Sequence, residues 1–321
     1  MSGGLTLDRI REASRFLEGR VLRTPVEPSP GLSERLGVPV WLKLEHLQRT
    51  GSFKVRGAFA RMAELSQEER RRGVATCSAG NHGKGVAFVA RQMGVHAAVY
   101  VPKSVDESKY RGMVALGAEV FRSDFPGYDE TEAWARQEAR KAGKPFLSAF
   151  DDPAIMAGNG GSLAVEVLEE LPEARTFLLP VGGGGLSAGF AFYAKETRPG
   201  STVVGCQLEA SPALRLSLDR GAAVTSLPAV ETLAGGLEGG IGVSTFEILK
   251  TRVDAVALLT EKEILEAVRW MLAEHQYLIE PSAAATVAAC LSGKAGRAAG
   301  PAVVVLSGRN VSLETLRRIL S

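Results

Sequence analysis

The stretch "TGSFKVRGAF", residues 50–59, predicts the start of a helix that carries two cations in its first turn. Ser52 is a suitable N-cap residue, and one apolar face follows at helical spacing: Val55, Ala58, Phe59, Met62 and Leu65. Because a helix N-terminus carries positive partial charge, Lys54 and Arg56 are each destabilised there by ~0.3–1 kcal/mol. Such placement of a lysine needs a reason.

A chemical reason for Lys54 is that a partly buried ammonium beside a helix N-terminus has a lowered pKa. The neutral amine that results can form a Schiff base or act as a general base. Lowering the pKa from ~10.4 to ~7–8 requires ~4 kcal/mol, more than a helix dipole supplies, so desolvation or a neighbouring cation must contribute. The alternative is a surface lysine whose apolar stem packs beside a core helix.

A run of four glycines, residues 182–185, lies between a predicted strand and a predicted helix in "FLLPVGGGGLSAG". Backbone N–H groups in such a loop, together with the helix dipole, favour a bound phosphate. Gly183, Gly185 and Ala188 also match the loose G-x-G-x-x-A dinucleotide pattern, with Glu209 as a ribose ligand. A purely structural tight turn is the remaining interpretation.

Two further loops carry polar residues between strand and helix. "CSAGNHGKG" holds Ser78, Asn81 and His82, and its amides suit a carboxylate, although a simple polar turn is the alternative. "VVVLSGRN" places Ser307 at the carboxyl end of a buried strand, where ligands bind in open α/β sheets. Ser307 is alternatively the N-cap of the last helix.

Composition excludes several classes of protein. The 321 residues are 45% hydrophobic, with a net charge of +2 and no basic patch typical of nucleic-acid binding. No apolar run approaches the ~20 residues of a membrane span. Three separated cysteines without a CxxC pair fit a cytoplasmic protein, and the histidines lack zinc-protease spacing.

Short apolar runs alternate with helical stretches, which predicts an α/β fold of two doubly wound domains with mostly parallel sheets. The predicted strands include "GVATCS", "HAAVYVP", "AEVFRS", "KPFLSAF", "RTFLLP", "STVVGCQLE", "DAVALLT" and "PAVVVLS". We expect a large domain of residues 1–69 plus 147–321 and a small inserted domain of residues 70–146.

The motifs "GSFKVRGA", "SAGNHGKG", "GGGGLSAG", "IEPSAA" and "LSGRN" together resemble those of one family in order and spacing. The chain resembles the fold-type II pyridoxal-phosphate (PLP) enzymes, whose fold is like that of the tryptophan synthase β chain. Within them it is similar to the serine/threonine dehydratase and serine racemase branch.

The resemblance implies pyridoxal 5'-phosphate as cofactor and a role for each matching residue. Lys54 would form the covalent bond to the cofactor aldehyde, with Phe53 against the ring and Asn81 on its hydroxyl. Glu280 would lie near the ring and Ser307 on its nitrogen. The cofactor phosphate would rest on Gly182, Gly183, Gly184 and Gly185, and the substrate carboxylate on Ser78, Ala79, Gly80, Asn81 and His82.

The implied reaction is α,β-elimination from L-threonine or L-serine, giving 2-oxobutanoate or pyruvate plus ammonia in a cytoplasmic homodimer of the catabolic type. Related racemases have a serine where this chain has Ala79, so little racemisation is expected. A cation site in some relatives matches Glu209 and the carbonyl of Ala213, but Arg215 stands at the remaining ligand position, and its guanidinium can fill that site. A nicotinamide-dependent dehydrogenase, using the glycine run and Glu209, is the alternative from another class.

Overall fold

The structure, a computed structural model, describes residues 4–125 and 127–321. Its strands are β1 (Val26–Pro28), β2 (Val40–Lys43), β3 (Val74–Cys77), β4 (Ala97–Val101), β5 (Glu119–Arg122), β6 (Thr176–Pro180), β7 (Thr202–Leu208), β8 (Ala255–Leu259) and β9 (Ala302–Val305). Within this part of the chain, no helix combines the length and apolar character needed to cross a membrane.

The helices alternate with these strands. They are α1 (Leu7–Leu17), α2 (Pro30–Leu36), α3 (Lys54–Ala63), α4 (Gln67–Arg72), α5 (Asn81–Met93), α6 (Glu107–Ala115), α7 (Tyr128–Lys141), α8 (Pro153–Met156), α9 (Ser162–Glu170), α10 (Gly185–Thr197), α11 (Ala213–Arg220), α12 (Val243–Leu249), α13 (Glu261–His275), α14 (Pro281–Leu291) and α15 (Leu313–Leu320). Two 3₁₀ turns, Glu45–Leu47 and Arg49–Gly51, precede α3, and a π-turn, Ala157–Gly161, joins α8 to α9.

The strands form two sheets. The larger has the order β1-β2-β9-β6-β7-β8, in which β1 pairs antiparallel with β2 and the other pairs are parallel. The smaller is the parallel sheet β3-β4-β5. The predicted α/β class with mostly parallel sheets is therefore confirmed.

Each sheet is covered on both faces by apolar helix surfaces. The large sheet packs against α2, α13, α14 and α15 on one face and against α9 to α12 on the other. The small sheet packs against α3, α5 and α6 on one face and against α7 on the other. Parallel strands buried on both faces read as continuous apolar runs, which is why they were visible in the sequence.

Two local predictions are wrong. Helix α3 begins at Lys54 with Phe53 as its N-cap, and the buried hydroxyl of Ser52 caps nothing and has no partner among the described residues. "KPFLSAF" is not a strand, since its backbone pairs with the small sheet at an isolated bridge between Phe146 and Ala75. The domain limits at residues 69/70 and 146/147 stay a prediction.

The second cation of the opening motif, Arg56, is wholly buried in an ion cluster. Its guanidinium donates to both carboxylate oxygens of Glu45 at 2.8 Å and to Glu166 at 2.7 and 3.0 Å. Lys43, also buried, donates to Glu166 at 2.7 Å, so two cations face two carboxylates. Arg56 therefore ties α3 to α9 and to the turn after β2, and it has a structural reason to stand in the first turn.

Candidate active site

Lys54 lies at the first position of α3, facing the segment that precedes α8. Its Nζ donates to the carbonyl oxygen of Ala149 at 2.8 Å and lies 5.1 Å from the ring centroid of Phe53. Burial lowers the pKa of Lys54 to about 8, against the opposing effect of the Glu280 carboxylate. Desolvation thus supplies the shift that a helix N-terminus alone could not.

The backbone before Lys54 is locked to the loop after β9. Thr50 and Gly51 have φ values of +60° and +78°, which turn the chain sharply ahead of the helix. Ser52 then forms an antiparallel bridge with Gly308, and the N–H of Phe53 donates to the carbonyl of Ser307 at 3.2 Å. Two loops far apart in sequence, "GSFK" and "LSGR", therefore lie side by side and bring Ser307 next to the lysine segment.

A network of amides and one carboxylate joins α5 to the end of the large sheet. Asn81 donates to Glu280 at 2.7 Å, and the backbone N–H of Asn310 donates to the other Glu280 oxygen at 2.9 Å. The side chain of Asn310 also donates to Asn81 at 2.6 Å and accepts from Lys84 at 3.1 Å. These contacts bring Asn81 and Glu280 together as the sequence predicts.

Glu280 is almost fully buried at the N-cap of α14. Burial raises its pKa to about 7, although the hydrogen bonds from Asn81 and Asn310 act in the opposite direction. A carboxyl group so placed gains or loses its proton near neutral pH. Glu280 therefore gives this site a group whose charge changes near neutral pH and responds to nearby charges.

The loop of residues 78–82 ends at the N-terminus of α5, which no side chain caps. Ser78 instead accepts the N–H of Gly80 at 3.2 Å. Burial and the charge of Lys54 lower the pKa of His82 to about 3, so its imidazole is neutral. Its Nε2 lies 3.4 Å from the carbonyl oxygen of Leu147, and its buried Nδ1 has no partner among the described residues.

Residues 182–185 form a tight cradle at the start of α10, and again no side chain caps this helix. Gly184 has φ +91°, a left-handed conformation that favours glycine. A Cβ at Gly182 would lie 2.2 Å from the carbonyl oxygen of Gly236, and one at Gly183 would lie 2.3 Å from the ring of Phe150. Close backbone approach and free helix N–H groups are the features that bind an anion.

The segment between Leu147 and Asp152 connects these parts. Its carbonyl groups face His82 and Lys54, and the side chain of Phe150 packs on the cradle. Asp151 accepts the N–H groups of residues 243, 244 and 245 at 2.9–3.2 Å, and Thr245 donates to the carbonyl of Gly183 at 2.8 Å. This segment thus contacts Lys54, the loop of residues 78–82 and the cradle.

Two residues singled out in the sequence do not join this group through any described contact. Glu209 is exposed just after β7, and the carbonyl of the buried Ala213 accepts the hydroxyl of Ser217. The expectation that Arg215 fills a cation site is wrong, because its guanidinium pairs with Asp219 one turn along α11. Among the described residues, no cluster of three or more His, Cys, Asp or Glu side chains could hold a metal ion.

Sequence reasoning missed several residues of the site. Ala149 acts through its carbonyl and Phe150 through its fit to glycines, and neither carries a signal in residue type. Asn310 is the one that had such a signal, since it stands in the quoted motif "LSGRN" two residues beyond a bridge to Ser52. Ser307 is not the N-cap of the last helix, because Ser312 caps α15 through its hydroxyl.

Comparison with known proteins agrees with this geometry. The family described as "Pyridoxal-phosphate dependent enzyme" matches residues 17–308. The chain belongs to this family. A relative named L-threonine ammonia-lyase, from Geobacter sulfurreducens, is 41% identical over 308 residues, which cover 96% of this chain and 76% of the relative.

Solved structures of the family are similar over nearly the whole chain. A threonine deaminase from the organism abbreviated T.th. superposes with a TM-score of 0.88 at 35% identity, covering 96% of this chain and 99% of that one. Maize serine racemase superposes with a TM-score of 0.93 at 28% identity, covering 99% and 97%. The fold is therefore that of the fold-type II PLP enzymes.

The residues present fit the cofactor of this family. Lys54 is half-buried with a lowered pKa, as amine attack on an aldehyde requires. The cradle combines uncapped N–H groups with glycines at which a Cβ would collide with neighbouring protein atoms, so that its backbone stays bare. Family membership also removes the nicotinamide dehydrogenase alternative, in which Glu209 would have bound a ribose.

Proposed function

We propose that this protein is a threonine or serine ammonia-lyase that releases 2-oxobutanoate or pyruvate together with ammonia. The observation that carries the proposal is the placement of Lys54, half-buried and held on the Ala149 carbonyl beside Phe53. Phe150, the next residue along, packs on the glycine cradle, so amine and anion site share one wall. Relatives named L-threonine ammonia-lyase cover almost the whole chain and support the same reaction.

The residues divide the work of holding the cofactor. Lys54 would carry it covalently, Phe53 would pack against its ring and residues 182–185 would bind its phosphate. Ser307 would hydrogen-bond the ring nitrogen and Asn81 the ring hydroxyl, with Glu280 behind Asn81. When bound, pyridoxal phosphate supplies an electron sink for charge that develops at the substrate α-carbon.

The substrate carboxylate would bind the N–H groups of residues 78–82, at the uncapped start of α5. The Lys54 amine would take the proton of the substrate α-carbon, and its pKa of about 8 leaves a useful neutral fraction of this amine near pH 8. The neutral hydroxyl of Ser307, unlike a carboxylate, gives little support to a protonated ring. Loss of the substrate β-hydroxyl is therefore favoured over transfer of the amino group.

A serine racemase is the second candidate, since the solved maize racemase has a very similar fold. Racemisation needs an acid on the face opposite the lysine, and the racemases that this chain resembles use a serine in the loop. Here the position is Ala79, whose methyl group cannot move a proton. We therefore propose that elimination dominates.

Three finer points belong to the proposal. Serine and threonine differ by one methyl group, worth only ~1–3 kcal/mol in a pocket, so both are expected substrates. The three cysteines are free and buried, which fits a reducing cytoplasm. The resemblance also implies a homodimer, to be measured by light scattering.

The decisive experiment assays 2-oxobutanoate, pyruvate and D-serine released by the cofactor-loaded protein from L-threonine and L-serine. Borohydride reduction followed by peptide mass mapping identifies the amine that carries the cofactor. We expect oxo-acid release, little D-serine and a label on Lys54 alone, with turnover lost in Lys54→Ala. Label on another lysine, such as the nearby Lys84, or D-serine as the main product would contradict the proposal.

A further inference from the structure

The helical run from Pro153 to Glu170 is interrupted where it passes between α3, which begins with Lys54, and α10, which begins at the glycine cradle. The π-turn Ala157–Gly161 lies in its middle, and such turns occur often at functional sites. A Cβ at Gly158 would lie 2.5 Å from the carbonyl oxygen of Arg56 in α3. A Cβ at Gly160 would lie 1.8 Å from the carbonyl oxygen of Leu186 in α10. The π-turn therefore touches both helices backbone to backbone.

Asn159, between these two glycines, contributes the polar contact. Its side chain is buried, and its Oδ1 accepts the backbone N–H of Gly57 at 2.8 Å. The carbonyl of Phe53, four residues before Gly57, accepts the N–H of Arg56 at 3.0 Å. A Cβ at Gly57 would lie 2.6 Å from Oδ1, so glycine is needed for the approach.

We propose that Asn159 is a positioning residue, which fixes the first turn of α3 and therefore Lys54 relative to the glycine cradle. Gly57 is three residues beyond Lys54, and Leu186 is the residue after the last cradle glycine. One side chain and two glycines thus set the separation between the amine and the anion site. The inference rests on the proposed function in taking Lys54 as the residue that carries the cofactor.

A merely structural role would give a different result. Loss of a buried hydrogen bond lowers the stability of the fold wherever it lies. Loss of a hydrogen bond that positions Lys54 also weakens binding of a cofactor that is held both by Lys54 and by the glycine cradle. It is expected to lower kcat more than it changes KM. Affinity for the cofactor, measured apart from turnover, separates the two roles.

The experiment compares Asn159→Leu, Asn159→Asp and Ser162→Ala with the wild type. Leucine has similar volume and no acceptor, while aspartate keeps an oxygen at the same place. Ser162 is the control, since it lies next to the π-turn and donates to the Gly158 carbonyl at 2.6 Å. Its hydrogen bond with the start of α3 is longer, 3.3 Å, and comes from the Arg56 guanidinium, whereas Asn159 accepts a backbone N–H of α3. Each apoprotein is titrated with pyridoxal phosphate while absorbance reports covalent attachment, and unfolding by denaturant gives its stability.

We expect Asn159→Leu to raise the dissociation constant of pyridoxal phosphate roughly tenfold or more, since a buried N–H loses its acceptor. Asn159→Asp should retain much of the wild-type affinity. Ser162→Ala should lose stability while its cofactor affinity stays within about threefold of wild type. Equal affinities for Asn159→Leu and Ser162→Ala, or equal losses for the leucine and aspartate variants, would overturn the inference.

Amide hydrogen exchange of the wild type provides a test that needs no variant. The N–H of Gly57 should exchange slowly in both apoprotein and loaded protein, because Asn159 holds it in both; fast exchange would overturn the inference. Failure of the proposed function is distinguishable, since it would leave Lys54 of the wild type unlabelled by borohydride. A wild type labelled at Lys54 with an unaffected Asn159→Leu variant would refute only the positioning role.

Discussion

Glu280 accepts two hydrogen bonds and has a raised pKa. Its protonation therefore makes the stability of the protein depend on pH. Its two donors, Asn81 and the N–H of Asn310, favour the carboxylate, whereas burial favours the neutral acid. Burial prevails. The apoprotein near neutral pH therefore holds a proton on Glu280 that the unfolded chain would release.

This proton predicts a pH dependence of stability. Between an ordinary pKa of 4.5 and the folded value of about 7, the folded state binds more protons than the unfolded state, so stability falls as pH rises. Glu280→Gln removes this fall. From pH 4.5 to pH 7, the unfolding free energy of the Glu280→Gln apoprotein should therefore increase by ~3 kcal/mol relative to that of the wild type.

Urea unfolding of both apoproteins at several pH values measures this difference. His82, whose lowered pKa of about 3 makes stability rise with pH up to about 6.5, acts in both proteins and cancels in the comparison. A difference that stays flat across the window would contradict the assignment of the proton to Glu280.

Residue types pointed to candidate site residues where the proposed chemistry depends on the side chain. Lys54, Asn81, Glu280 and Ser307 were all found in sequence motifs, and the structure brings them together. Ala149 and Phe150 could not be found in that way, since one acts through a carbonyl and the other through its fit to glycines. Asn159 was missed because its partner is a backbone N–H more than one hundred residues away.

At the scale of elements, helix α3 carries both the site lysine and the buried ion cluster. Arg56, two residues after Lys54, is fully buried with Glu45 and Glu166, while Arg61, further along the same helix, forms a partly exposed pair with Asp152. The same residue type therefore occurs on one helix in two environments.

Removal of each arginine should have very different effects on stability. Arg56→Ala leaves two carboxylates without their main partner in a buried place and should cost about 3–5 kcal/mol. Arg61→Ala removes a pair near the surface and should cost at most about 1 kcal/mol. Denaturant unfolding of the two variants measures both values, and similar losses would mean that the cluster is better solvated than its burial indicates.

Element prediction succeeded for long periodic segments and failed where tertiary contacts decide. The helices at 261–275 and 281–291 and strands β3 to β9 follow from apolar pattern alone. Strands β1 and β2 gave too short a signal to be predicted, and "KPFLSAF" has strand-like composition but pairs at a single bridge. The π-turn leaves no mark in the apolar periodicity, and its close contacts are with α3 and α10, which are distant in sequence.

For the whole molecule, the site is assembled from segments that are distant in the chain and belong to both sheets. Lys54 precedes the small sheet, Asn81 follows its first strand, and the cradle and Ser307 follow strands of the large sheet. A cofactor bound by all of them is expected to stabilise the complete fold and not one part of it.

Removal of the cofactor should therefore lower the melting temperature. A ligand that binds only the folded state contributes ~2.7 kcal/mol at one hundred times its dissociation constant and ~4 kcal/mol at one thousand times. Calorimetry of protein stripped with hydroxylamine, before and after reloading, measures the shift. Lys54→Ala is the control, which should gain less at the same cofactor concentration, and identical melting of stripped and reloaded wild type would contradict the site.

The pairing of β2 with β9 has a consequence for how the molecule is made. Val40 lies opposite Ala302, so β2 joins the sheet through a strand synthesised more than two hundred and fifty residues later. On the ribosome, the antiparallel pair of β1 and β2 must wait with an open edge until β9 emerges. The lysine segment next to β2 reaches its final place only then, so a nascent chain is unable to capture its coenzyme before β9 has been synthesised.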